Sequence, residues 1–173
     1  MRPSKDELGP LLARLGRWLG RRRRRFLKGL RPGATPAELD ALQARLGMPL
    51  PQELRVLLAW HNGQTEDFVG RFEQDWILMG TDDIARAKPD LDADAKATGW
   101  RPAWIPFLDD DNGDYVCLDT SVPGPPVREF WAGNAAHEVV APSLTAWVKA
   151  FVANVEKGRY AEDPERGTFM LRR

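Results

Sequence analysis

A chain of 173 residues is long enough to bury a sizeable core without covalent staples, and its single cysteine, Cys117, excludes an intramolecular disulfide or a multi-cysteine metal cluster. Lys and Arg total 25, as do Asp and Glu, but residues 1–31 hold 11 cations against 2 acids and the remainder holds 14 against 23. The neutral sum therefore hides two opposed blocks, which either attract each other or face different partners, and the acidic body repels nucleic acid and favours basic proteins.

Leu8, Leu11, Leu12, Leu15 and Leu19 recur at helical spacing, and Phe26 and Leu30 rejoin the stripe, so residues 1–31 read as a basic amphipathic helical extension. Arg21, Arg22, Arg23, Arg24 and Arg25 interrupt it, and five consecutive cations cannot all face one way. Gly9, Gly16 and Gly20 weaken its continuity. Thr35, Pro36 and Glu38 carry the signature of a capped helix running to Leu46, where Gly47 lets the chain turn out. Leu54, Leu57 and Leu58 describe a second helix that ends before Asn62 and Gly63.

Trp76 to Met79 suits a short buried strand, and Thr81 offers a cap for a brief helix fading near Pro89, with residues 90–98 as a solvated loop. Trp104 to Leu108 and Tyr115 to Leu118 flank the acidic segment 109–114, where Asn112-Gly113 supplies hairpin turn chemistry. Strands follow at Val127 to Trp131 and Glu138 to Val140. Ser143 caps a last helix through Leu144, Trp147, Val148, Phe151, Val152 and Val155. The tail, residues 161–173, is polar enough to fray. Helices at both ends of a run of short strands predict a single α+β domain over residues 32–160, with helices packed on a mainly antiparallel sheet.

The order of these blocks resembles the SUKH superfamily, which includes a fungal cell-wall assembly regulator and many bacterial immunity proteins. The matching stretches are Pro32-Gly33-Ala34-Thr35, Leu46-Gly47 with Leu50-Pro51, and Trp60-His61-Asn62-Gly63. Further on they are Trp104-Ile105-Pro106-Phe107, the turn from Asp109 to Asp114, Tyr115-Val116-Cys117-Leu118-Asp119 and Val140-Ala141-Pro142-Ser143-Leu144. The resemblance spans about residues 30–158 and leaves the arginine run outside. It implies a domain that acts by binding, without catalytic groups, cofactor or small-molecule substrate. In bacterial members the implied role is neutralising a toxin delivered between competing cells, and in fungal members it is a regulatory scaffold for wall synthesis.

Asp109, Asp110, Asp111 and Asp114 first suggest calcium, but placing Gly113 at the sixth position of an EF-hand loop puts Leu108 at its first, which rejects that register. A solvated acidic turn is the simpler reading, and a partner-binding edge is a third. Two histidines, His61 and His137, are too few for a histidine metal site, and Cys117 in a strand pattern suits packing better than a catalytic dyad. No phosphate-binding loop or dinucleotide fingerprint is present. Trp60 beside His61, and Trp131 at a strand end, are candidates for a binding surface. Partner contact is therefore expected at Asp109, Asp110, Asp111, Asp114 and Trp60, with a cognate and basic toxin as the expected partner.

The alternatives are a cell-wall-type regulatory scaffold, or a membrane- or nucleic-acid-associated protein using Arg21 to Arg25. With one cysteine, no cleavable leader pattern and no apolar span of ~20 residues, a cytoplasmic setting is expected.

Overall fold

The computed structural model describes residues 7–65, 70–134, 136–163 and 165–172. The leucine stripe makes a helix, α1 (Leu8–Arg22), and all five leucines are buried. They pack along the last helix, α7 (Leu144–Glu156), and the two run parallel, since Glu7 meets Lys149 at 3.1 Å and Arg14 meets Glu156 at 2.6 Å. Exposed pairs of this kind contribute about 0–1 kcal/mol each. Leucine burial, at about 1.5–3 kcal/mol per side chain, is what holds the helix down.

The arginine run is where α1 stops. Arg23 takes φ −134° and ψ 50°, which breaks the helix before a short turn, α2 (Arg24–Lys28). Its side chain folds inward, 4% exposed, donating to Glu162 at 2.9 Å and to the Arg71 carbonyl at 3.0 Å. The guanidinium lies 4.2 Å from the Phe26 ring centre and 3.9 Å from that of Phe169. One arginine of the five is therefore structural, and the other four stay exposed.

Two helices follow, α3 (Pro36–Leu46) and α4 (Gln52–Trp60). Thr35 and Glu38 form the capping box that the sequence announces, with N–H to side-chain bonds of 3.2 and 2.7 Å. Two glycines explain the fixed chain path around α4. A Cβ on Gly33 would lie 1.8 Å from the Ala59 carbonyl oxygen, and Gly63, at φ +79°, would place one 2.4 Å from the Gly80 nitrogen. Between them Asn62 accepts from the Thr81 N–H at 2.7 Å, and His61 Nδ1 lies 2.7 Å from the Arg31 carbonyl oxygen.

Five antiparallel strands, β1 (Ile77–Leu78), β2 (Trp104–Asp109), β3 (Tyr115–Asp119), β4 (Val127–Phe130) and β5 (Val139–Ala141), lie in chain order across one sheet. One face contributes Ile105, Val116, Leu118 and Val127 to the main core with the helices. The other packs Trp104, Cys117 and Phe130 with Trp100 in a smaller cluster. A bulge at Phe107, between the Pro106–Cys117 and Leu108–Val116 pairs, lets both Phe107 and Leu108 join the main core.

Several expectations need correction. The helix expected to fade near Pro89, α5 (Thr81–Ala93), continues through it, and the supposed loop 90–98 completes it and forms α6 (Ala95–Thr98). Asp92 holds this extension, because it accepts from Lys88 Nζ at 2.6 Å and from Trp100 Nε1 at 2.8 Å. The cap of α5 is Gly80 rather than Thr81, whose N–H and hydroxyl are bonded to Asn62. In the acidic turn Asp111 and Gly113, not Asn112, take positive φ angles. The tail expected to fray forms a hairpin, β6 (Tyr160–Asp163) and β7 (Thr168–Leu171), whose Phe169 is 2% exposed and belongs to the main core.

Candidate functional site

A cleft of about 520 Å³ opens along the β1 edge of the sheet. Its floor is Ile77, Leu78 and Met79. Gln64 closes the edge behind them, pairing its N–H with the Leu78 carbonyl at 3.1 Å and its side-chain oxygen with the Leu78 N–H at 3.0 Å. One wall is α5, whose spacing of three, four and seven puts Asp83, Arg86, Ala87 and Asp90 on one helical face. The opposite side carries Arg31 and Arg71, and the β2–β3 hairpin supplies Asp109, Asp111 and Tyr115.

The cations of the cleft are already engaged. Arg31 and Arg86 lie 3.6 and 3.9 Å from Asp83, and Arg71 lies 3.1 Å from Asp111. Asp90 and Asp109 have no ion-pair partner among the described residues. Burial first, and then the nearby charges of Asp111, Asp110 and Asp83, hold the Asp109 carboxyl above its ordinary value. Tyr115 feels the same field, and burial together with Asp109, Asp110, Asp111 and Asp90 pushes its phenol up to about 12. The cleft thus has a surplus of negative charge that a cation from outside would relieve.

Of the residues singled out from sequence, Asp109 and Asp111 line this cleft. Asp110 lies in the same turn but is used internally, accepting from the N–H groups of Asn112 at 2.8 Å and Asp114 at 3.0 Å. Asp114 accepts from the Ala132 N–H at 2.6 Å, which draws the segment after β4 towards the turn. Trp60 is not at the cleft. Half-buried, its ring packs 4.4 Å from His61 and 6.2 Å from Phe72. Trp131, one residue before Ala132, is 39% exposed, and its ring lies 5.5 Å from that of Trp76. Through the Ala132 bond to Asp114 its backbone lies near the acidic turn, just after the strand that pairs with Tyr115.

Arg31, Arg71, Arg86, Asp83 and Asp90 escaped the sequence reading. The α5 set had a visible signal in its helical spacing, whereas Arg31 and Arg71 come from segments that only the fold brings together.

A second cavity, about 620 Å³, lies beside Trp104, Arg128 and His137, where Arg128 is bonded to Asp119 at 2.7 Å and to the His137 carbonyl at 3.0 Å. Cys117 is fully buried, which pushes its thiol up and away from nucleophilic chemistry. Among the described residues no group of three His, Cys, Asp or Glu is arranged to hold a metal ion.

Helices packed on an antiparallel sheet, with a charged cleft along one sheet edge, define an α+β domain. The chain belongs to the SMI1 / KNR4 family (SUKH-1), whose sequence pattern matches residues 33–150. The match includes the β1–β5 sheet, α3 to α6 and part of α7. No curated protein matches the chain. Within the described residues, no helix is long and apolar enough to cross a membrane.

Proposed function

We propose that the protein is an immunity protein that binds a cognate toxin in the cytoplasm and neutralises it, without enzymatic activity of its own. The observation that carries this reading is the uncompensated acid of the cleft, Asp90 and Asp109, set among cations that are already paired. A Lys or Arg of a basic toxin would complete that network. Acidic groups at such a rim speed encounter and reject wrong partners, while an aromatic side chain beside them supplies the tight contact. Asp109 and Asp111 would contact the partner directly, with Trp131 as the neighbouring anchor, and Asp110 and Asp114 would hold the turn in shape. Family membership supports a binding role, since the resemblance implies toxin neutralisation in bacterial members and a wall-related scaffold in fungal ones.

The test is capture from the native cell lysate with the purified protein and with its Asp90→Asn, Asp109→Asn variant. One stoichiometric partner that is toxic when expressed alone, and that the variant loses, is the expected result. Several non-toxic partners would replace the immunity reading with a regulatory scaffold.

A further inference from the structure

The opposite charge block has a different fate. Arg17, Arg21, Arg22, Arg24, Arg25 and Lys28 are all exposed, and none has an ion-pair partner among the described residues. Arg14, before this group, and Arg23, in its midst, are paired, to Glu156 and Glu162. Because α1 and α7 run parallel, the end of α1 lies at the same end of the molecule as Lys157 and Arg159, which are exposed and likewise unpaired. The inward turn of Arg23 is what splits the run into two outward pairs.

Next to these cations lie two exposed aliphatic side chains. The β6–β7 hairpin is fixed to α1 through Phe169, whose ring is 5.9 Å from Trp18 and under the Arg23 guanidinium. The next residues along β7, Met170 and Leu171, are 39% and 38% exposed.

We propose that this basic end docks the protein on an anionic lipid bilayer. Cations clustered at one end of a molecule are drawn to acidic headgroups, and flanking apolar side chains add to that attraction by entering the headgroup boundary. Nucleic acid would use the cations equally well but has no use for Met170 and Leu171. The leucines of α1 are in the core, so the helix itself does not insert. Docking is peripheral, and it does not rest on the identity of the partner bound at the cleft.

The experiment is co-sedimentation of the full chain with vesicles of phosphatidylcholine containing phosphatidylglycerol, with vesicles of phosphatidylcholine alone, and with duplex DNA in parallel. The expected result is binding to the anionic vesicles only, weakening as salt is raised. The R21S/R22S/R24S/R25S variant should lose about 10-fold or more of that binding. The M170S/L171S variant should lose about 3-fold while any weak DNA binding stays the same. All six side chains are exposed, so both variants should keep the parent's melting temperature, and the salt titration of the parent stands without either. Equal binding to neutral vesicles, or anionic-vesicle binding that survives the arginine substitutions, would overturn the proposal. So would tighter binding to DNA, with no effect of M170S/L171S on either ligand, which would assign the surface to nucleic acid.

Discussion

The five arginines at 21–25 and the four aspartates within 109–114 are similar blocks of charge in the sequence, and the fold treats them in opposite ways. Three of the aspartates turn their carboxylates onto backbone N–H groups, two of them within the turn itself. Asp109 accepts from the Asp111 N–H at 2.8 Å, Asp110 takes two N–H groups, and Asp114 takes that of Ala132. A reversing chain exposes N–H groups, and a short side chain carrying an acceptor is well placed to satisfy them. Guanidiniums are donors on long stems, and most carbonyls of a helix are already bonded, so Arg22, Arg24 and Arg25 reach into water, and exposed Arg21 donates to the Arg17 carbonyl at 3.3 Å. Arg23 is the exception because the chain leaves the helix there. A charge run in a sequence therefore reports how much charge exists, and the backbone around it decides how much remains available.

That contrast can be broken at several points. The largest effect is expected at the one docked arginine: Arg23→Ala should cost about 2–4 kcal/mol in urea unfolding, through lost packing on two rings and an unsatisfied Arg71 carbonyl. Arg22→Ala and Arg24→Ala should stay within about 0.5 kcal/mol, and equal losses at all three positions would erase the distinction between inward and outward arginines. Asp110→Ala should cost about 1–2 kcal/mol by orphaning two N–H groups of the turn. By contrast Asp111→Asn, at an exposed residue whose positive φ suits Asn, should cost less than about 1 kcal/mol in stability yet weaken the partner.

A smaller effect concerns pH. A bound cation favours the ionised Asp109, so partner affinity should fall as pH drops through the Asp109 titration, which sits above its ordinary 3.8, and Asp109→Asn should flatten that dependence in calorimetric titrations. The smallest is at Glu73, a buried carboxyl bonded to the Tyr160 hydroxyl, whose burial raises its pKa. The folded state binds its proton more tightly than the unfolded chain does, so Glu73 contributes stability below its ordinary 4.5 and that contribution is lost as pH rises through the elevated value. Glu73→Gln should therefore flatten this part of the stability profile, compared with the parent across acid pH by thermal melting.

Locally encoded features were the ones legible in the sequence. The Thr35–Glu38 capping box, the Ser143 cap with its 3.1 Å bond from the Ala146 N–H, and the leucine stripe of α1 each rest on residues within a few positions of one another. Pro89 misled because a proline argues against a continuing helix, while the anchor that carries α5 past it, Trp100 on Asp92, lies well downstream. The C-terminal hairpin left a faint signal in Thr168-Phe169-Met170-Leu171 after Gly167, and the overall polarity of the tail outweighed it. For the site, Asp109 and Asp111 were legible as surface acid. Their convergence with Arg71 and α5 depends on distant segments, and the place of Trp60 away from the cleft was not legible because a tryptophan next to a polar motif gives no sign of which face it packs on.

The parallel seating of α1 on α7 has one more consequence. The family pattern begins at residue 33, but five leucines from before that point fill the main core against α4 and α7. An added helix that merely decorated the domain could be trimmed without loss, whereas this one has become a keystone. A fragment cut at the start of the family pattern should bare the flanks of both helices and behave as a sticky, aggregation-prone species.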